Sequence, residues 1–181
     1  MKLVLLRHVE SESNKADKAD SQIDAELTEK GKEDAQKLAC SLKKYNFDIF
    51  IVSPLIRTLQ TIQPFLDTLV TPKVITEKLI LERDLGNFTG TPMGTFQEYC
   101  KKNKLDLVSH TPKNGESILE TYNRAKLFLS KLKTSYQDKT ILVCGHKNFL
   151  NCLIMAIENK DINDYYGLSS IKLGEIKEFT L

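Results

Sequence analysis

An α/β fold with a mainly parallel central sheet is the class this sequence predicts, and three observations predict it. Short apolar runs at Leu3-Val4-Leu5-Leu6, Ile49-Phe50-Ile51-Val52 and Ile141-Leu142-Val143-Cys144 read as strands, the first and last of them buried. Segments with helical spacing of apolar residues lie between them, the alternation expected of parallel strands joined by crossover helices. The length, 181 residues, suits one domain that can bury a substantial core without disulfides. The expected architecture is a three-layer sandwich with helices on both faces of the sheet, in a single domain over residues 1–181.

Each element has its own signal. The first strand stops at Arg7-His8, and residues 10–26 are polar without a periodic apolar face, so they read as a loop. Thr28 reads as the N-cap of a helix whose face is Ala35, Leu38, Ala39 and Leu42. Residues 48–52 form the second strand. Ser53-Pro54 reads as a cap followed by proline in the first turn, so a helix is predicted to begin at Ser53, with Leu55, Leu59, Ile62 and Leu66 as its face and Pro64 shortening or kinking it. Val74-Ile75 is a short third strand, and Leu79 to Leu81 lead to Glu82. Glycines and prolines then punctuate an excursion over residues 83–116, read as a lid with one helix over 96–103. Ser117 and Glu120 form a capping-box pattern that opens a helix through Ala125, Leu129 and Leu132. After the Ile141 strand, residues 149–157 form a strongly apolar helix. Residues 171–173 and 176–180, turned at Gly174, read as closing strands.

Composition excludes several classes of partner. A formal net charge of +2, with both signs mixed along the chain, gives no reason to expect nucleic acid or an acidic membrane. The four cysteines contain no C-x-x-C pair, so neither a zinc site nor a disulfide framework is indicated. The apolar run after Met1 and Lys2 is too short for a signal peptide, and no run approaches the roughly 18–20 residues that span a bilayer. A cytoplasmic location is expected.

Two of the three histidines, His8 and His146, stand at strand ends. In open α/β sheets ligands lie beyond the carboxyl ends of parallel strands, so both are candidates for chemistry. The same logic brings Arg7, Ser53 and Arg57 to one crevice, with Glu82 close by. Two arginines and two histidines converging are costly unless an anion is the guest, and phosphate fits the paired donors of guanidinium groups. The chain lacks a G-x-x-x-x-G-K-[ST] loop and an acidic magnesium cluster, so arginine rather than metal has to neutralise that charge. Cys144 has no arginine shortly downstream, which rules against a cysteine nucleophile. His110, in the presumed lid, reads as solvent-exposed, and Lys101, Lys102 and Lys104 read as a solvated helix face.

Read in order, Leu3 to His8 with Glu10-Ser11 and Asn14, Leu27-Thr28-Glu29-Lys30-Gly31, Ser53 to Thr61, Leu81 to Gly86, Gly115-Glu116-Ser117 and Val143-Cys144-Gly145-His146 resemble the histidine phosphatase superfamily, which includes cofactor-dependent phosphoglycerate mutases. The resemblance implies a phosphoglycerate mutase-like fold and a phosphohistidine mechanism. In it His8 is the nucleophile, Arg7, Arg57 and His146 form the phosphate pocket, and Glu82 is the general acid and base. Neutral His8 is favoured by the neighbouring guanidiniums. Asn14 and Ser11 read either as further phosphate donors or as loop-capping residues. Glu116 is expected to organise the return of the lid and to pair with an arginine of the site.

Two positions depart from the family pattern, which has glycine after each histidine: Val9 follows His8 and Lys147 follows His146. Valine tolerates positive φ badly, so the first loop requires an ordinary extended Val9. Lys147 either points to solvent or places a third cation at the rim of the pocket. A short lid and tail favour a phosphatase over a mutase, which must exclude water while a bisphosphate reorients. The expected activity is metal-independent hydrolysis of a phosphomonoester, most simply a phosphorylated small molecule, with a phosphoprotein also compatible. A phosphoglycerate-type mutase and a weakened phosphate-sensing relative are the alternatives.

Overall fold

The computed structural model describes all residues, 1–181. Five strands form one sheet in the order β3-β2-β4-β1-β5: β1 (Lys2–Arg7), β2 (Ile49–Val52), β3 (Val74–Thr76), β4 (Thr140–Gly145) and β5 (Ile176–Thr180). The first four are parallel, and β5 closes the edge antiparallel to β1. The register sets Arg7 opposite Gly145 and Val52 opposite Cys144, so the carboxyl ends of the three central strands finish together.

Strand alternation divides the core into two. Leu3, Leu5, Ile49, Ile51, Ile141 and Val143 face α5 (Ile118–Ser135) and α6 (Lys147–Ile157). Val4, Leu6, Phe50, Val52, Leu142 and Cys144 face α2 (Glu29–Leu42) and α3 (Ile56–Leu66). Both faces are therefore covered, which is why the strands are continuous apolar runs rather than alternating ones. Each such leucine or isoleucine contributes about 1.5–3 kcal/mol through burial. Thr28 accepts a hydrogen bond from the Gly31 amide and starts α2, and Ser117 and Glu120 cap each other's amides at the start of α5.

Three local expectations are corrected. A one-turn helix, α1 (Glu12–Lys15), interrupts the presumed loop; it buries no residue and so leaves no periodic apolar face in the sequence. The helix after β2 begins at Ile56, not Ser53, because its first amide is capped from another segment, Ile56 donating to the Asp24 carboxylate at 2.6 Å. Pro64 lies in the last turn of α3, two residues before the helix ends at Leu66. Residues 171–173 are not a strand: Ile171 is fixed by side chains, its amide by Asn151 at 3.0 Å and its carbonyl by Arg7 at 3.0 Å.

The excursion contains α4 (Thr95–Asn103) and is pinched at its neck, where the Glu116 amide bonds the Asp84 carbonyl at 2.8 Å and the Asn87 amide bonds the Lys113 carbonyl at 3.1 Å. Just past the neck it hydrogen-bonds the segment after α1, the Ala19 amide donating to the Thr91 carbonyl and the Gly90 amide to the Ala19 carbonyl. His110 is half-buried and stacks on Phe96 instead of standing free in solvent, whereas Lys101, Lys102 and Lys104 are exposed.

Candidate active site

The end of β1 delivers Arg7 and His8, the end of β4 delivers His146, the first turn of α3 delivers Arg57, and the chain after β3 delivers Glu82. The His8 and His146 rings lie 5.2 Å apart. His8 Nδ1 is 2.7 Å from the Val9 carbonyl oxygen. A carbonyl only accepts, so Nδ1 carries the proton and Nε2 keeps its lone pair in the neutral ring. Burial, then Arg57 and Arg7, hold the His8 pKa well below its ordinary value, so the neutral form dominates. Val9 itself has negative φ, donates its amide to Thr61 Oγ1 at 3.2 Å and buries its side chain in the core, so valine fits this turn.

His146 is held on both sides. Arg57 Nε donates to its Nδ1 at 3.3 Å, and its Nε2 lies 2.8 Å from Ser53 Oγ. The remaining Arg57 donors reach the Ile23 carbonyl at 2.6 Å and the Ser21 carbonyl at 2.9 Å. Both residues are fully buried. Burial, followed by Arg57, lowers the His146 pKa well below its ordinary value.

A cavity of about 50 Å³ opens in front of this pair, lined among others by Arg7, His8, Asn14, Asp20, Glu82 and Lys147. That space exceeds what a single water needs. Arg57, His146 and Ser11 do not line it; the first two stand behind its wall. Ser11 is buried in front of α1 and donates its amide and hydroxyl to Asn14 Oδ1 at 3.2 and 3.0 Å. Those bonds fix the Asn14 amide oxygen and leave its NH2 without a protein partner. Arg7 Nε is buried and likewise without a partner.

Glu82 is gripped by backbone. Its Oε1 accepts from the Arg83, Asn148 and Phe149 amides at 2.8, 3.1 and 3.3 Å, while Oε2 receives only the Asn148 amide at 3.2 Å. Two of those donors belong to the first turn of α6. Arg124 on α5 braces the chain on either side, donating to the Leu79 and Leu81 carbonyls at 2.6 and 2.8 Å and pairing with Glu116. Glu116 thus pairs with Arg124 rather than with an arginine of the site, and bonds the Asp84 amide at 3.2 Å.

Lys147 is the first residue of α6; it lines the small cavity and a neighbouring one of about 200 Å³, and makes no ion pair. Arg83 also lines the larger cavity, with Nη2 buried and unpartnered. No aspartate or glutamate lines it. Cys144 is fully buried and its thiol is pushed far up by burial alone, the opposite of a nucleophilic cysteine. No group of three or more His, Cys, Asp or Glu side chains gathers to hold a metal ion. Asp20, Asn148 and Arg124 were not legible in the sequence. Asp20 sits in an aperiodic loop, Arg124 on an ordinary helix face, and only Asn148, two residues after His146, had a positional signal.

A phosphoserine phosphatase from Entamoeba histolytica, solved with 3-phosphoglyceric acid, has a TM-score of 0.83 at 26% identity, covering 99% of this chain and 90% of its own. Phosphoserine phosphatase 1 of Hydrogenobacter thermophilus is 29% identical over 171 residues, 92% of this chain and 81% of the relative. A 2,3-bisphosphoglycerate-dependent phosphoglycerate mutase of Mesorhizobium japonicum is 32% identical over 171 residues, 87% of this chain and 82% of the relative. The family model of the histidine phosphatase superfamily (branch 1) matches residues 3–179, a span that contains both strand-end histidines and every residue gathered around them. The chain belongs to the histidine phosphatase superfamily.

Proposed function

We propose that this chain is a metal-independent phosphomonoesterase that works through a phosphohistidine on His8. The observation that carries the reading is the His8 ring: its proton is held on Nδ1 by Val9, its Nε2 is unprotonated, and it faces a cavity with Arg7. Nε2 attacks phosphorus and the bond to the leaving oxygen breaks, that oxygen taking a proton from Glu82. Water then gives a proton to Glu82 and attacks phosphorus, and the P–N bond breaks. Oε2, the less engaged carboxylate oxygen, carries this traffic. Arg7 and the Asn14 NH2 contact the phosphoryl oxygens. Arg57 and His146 act from behind through the guanidinium charge, and Arg57 touches the phosphoryl group only by releasing the Ser21 or Ile23 carbonyl. Ser11 fixes Asn14.

The substrate is a small phosphomonoester whose leaving group carries a second anion. The neighbouring cavity offers Arg83 and Lys147 with no opposing carboxylate, and relatives are named for phosphoserine and phosphoglycerate. Residues 83–116 cover both cavities as a lid on one domain, and the free cysteines fit a reducing cytoplasm.

The test is phosphate release from a panel of phosphomonoesters in EDTA, comparing wild type with His8→Ala and Glu82→Gln. Turnover that disappears in His8→Ala supports the phosphohistidine route. Isomerised product that depends on a bisphosphate primer would make the chain a mutase, and binding without turnover a sensor.

A further inference from the structure

Asp20 lines the same cavity as His8, and nothing in the mechanism above uses it. Its Oδ2 is buried and has no hydrogen-bond partner. The nearest cation is the Arg57 guanidinium, with Nε 3.8 Å away, yet the Arg57 donors are committed to His146, Ser21 and Ile23. The charged and titratable groups around Asp20 are Arg7 and His8 from the end of β1, Arg57 from α3, Glu82 from the segment after β3, and Lys147 at the start of α6. A cavity suited to a dianion thus contains two carboxylates, and the second one lacks the helix-terminus amides that hold Glu82.

We propose that Asp20 is a proton-dependent positioning residue of the anion site: as the neutral acid it donates its O–H to a non-bridging oxygen of the bound group, and as the carboxylate it repels that group. Like charges confined together in a cavity of about 50 Å³ oppose one another strongly, whereas a protonated carboxyl adds a donor. Burial raises the Asp20 pKa; Arg57 and Arg7 pull it down and Glu82 pushes it up again. A bound dianion adds a further like charge, so binding takes up a proton, and by linkage affinity falls as pH rises. The inference rests on the anion-site reading of this cavity but not on hydrolysis.

Calorimetric titration with sulfate, a dianion of constant charge, between about pH 5 and 8 tests it. In the wild type sulfate affinity falls by up to about ten-fold for each pH unit above the Asp20 pKa, with measurable proton uptake. In Asp20→Asn, which keeps the shape and an N–H donor, that slope disappears and binding near pH 8 is about ten-fold tighter or more. Glu82→Gln retains the slope. An unchanged slope in Asp20→Asn, weaker binding in that variant at high pH, or a slope that vanishes only in Glu82→Gln overturns the proposal. Failure to bind sulfate in every variant removes the anion site itself. The two readings part cleanly: sulfate binding with an Asp20-dependent slope but no turnover of any phosphomonoester defeats hydrolysis alone, and His8-dependent turnover with a flat slope defeats the Asp20 role alone.

Discussion

Arg57 Nε and His146 Nδ1 are 3.3 Å apart, and since a guanidinium can only donate, the imidazole presents a lone pair there and directs its proton to Ser53. The ring is therefore neutral, as is His8 beside it. Both pKa values are lowered well below 6.5, by burial first and by Arg57 next. In the unfolded chain each returns to about 6.5. Below that pH the unfolded state binds protons that the folded state refuses, so stability is full above it and is lost as pH falls. The expected slope is about 1.4 kcal/mol per pH unit for each ring. Asp20, with a raised pKa, holds its proton better when folded and offsets part of the loss at the acid end. Urea denaturation between about pH 5 and 7 reads the slope, and His8→Asn should remove roughly half of it. A folding free energy that does not move over this range would mean that these rings take up protons in the folded state.

Gly86 makes the neck of the excursion possible. Its φ is +51°, and a Cβ there would fall 2.1 Å from the Lys113 carbonyl oxygen and 2.7 Å from the Asn114 carbonyl carbon. Both contacts are backbone and cannot swing away. Gly86→Ala is expected to lose about 2–4 kcal/mol or to open the neck, seen as protease cleavage within residues 83–116. Gly94, with φ +93° and open space around it, should lose only about 1–2 kcal/mol on the same change. Equal stabilities for the two variants would show that the neck tolerates a side chain.

Arg124 does not line the small cavity, yet it spans the Leu79 and Leu81 carbonyls and Glu116, and so sets where Glu82 stands. Arg124→Ala should cost about 2–4 kcal/mol of stability, since Glu116 and two carbonyls lose a donor. For the proposed hydrolysis, kcat should fall about ten- to a hundred-fold with KM nearly unchanged, because displacement of the proton carrier harms the transition state more than binding. Lysine retains the charge but not the fork, and should restore only part of the rate. A rise in KM with kcat intact would assign Arg124 to binding instead.

The parallel strands, the Thr28 and Ser117 caps and the long helices were legible because each leaves a local pattern: an apolar run, a capping residue, a 3.6-residue period. What the sequence hid depends on distant partners. Ser53-Pro54 is a valid start for a helix by local rules, but Asp24 caps α3 three residues later and Ser53 serves His146. Ile171 looks like strand yet is fixed by Arg7 and Asn151. In the site, residue identity and strand-end position gathered His8, Arg7 and Glu82, but no spacing tells that Arg57 spends its donors on carbonyls behind the wall, or that Asp20 turns inward.

Lys147 stands at the boundary between the two cavities, where the family pattern has glycine, and its ammonium makes no ion pair. A cation in that position can act on the phosphoryl group or on the leaving group, and substrate choice separates the two. For the proposed hydrolysis, Lys147→Gln should lower kcat/KM for phosphoserine and 3-phosphoglycerate by about ten-fold, the size of one partly desolvated charge contact, while phenyl phosphate changes by less than about two-fold. Glutamine keeps helix propensity near that of lysine, so stability should move by less than about 0.5 kcal/mol. Equal losses on all three substrates would mean that Lys147 serves the phosphoryl group, and Arg83 alone would then be left to recognise the second anion.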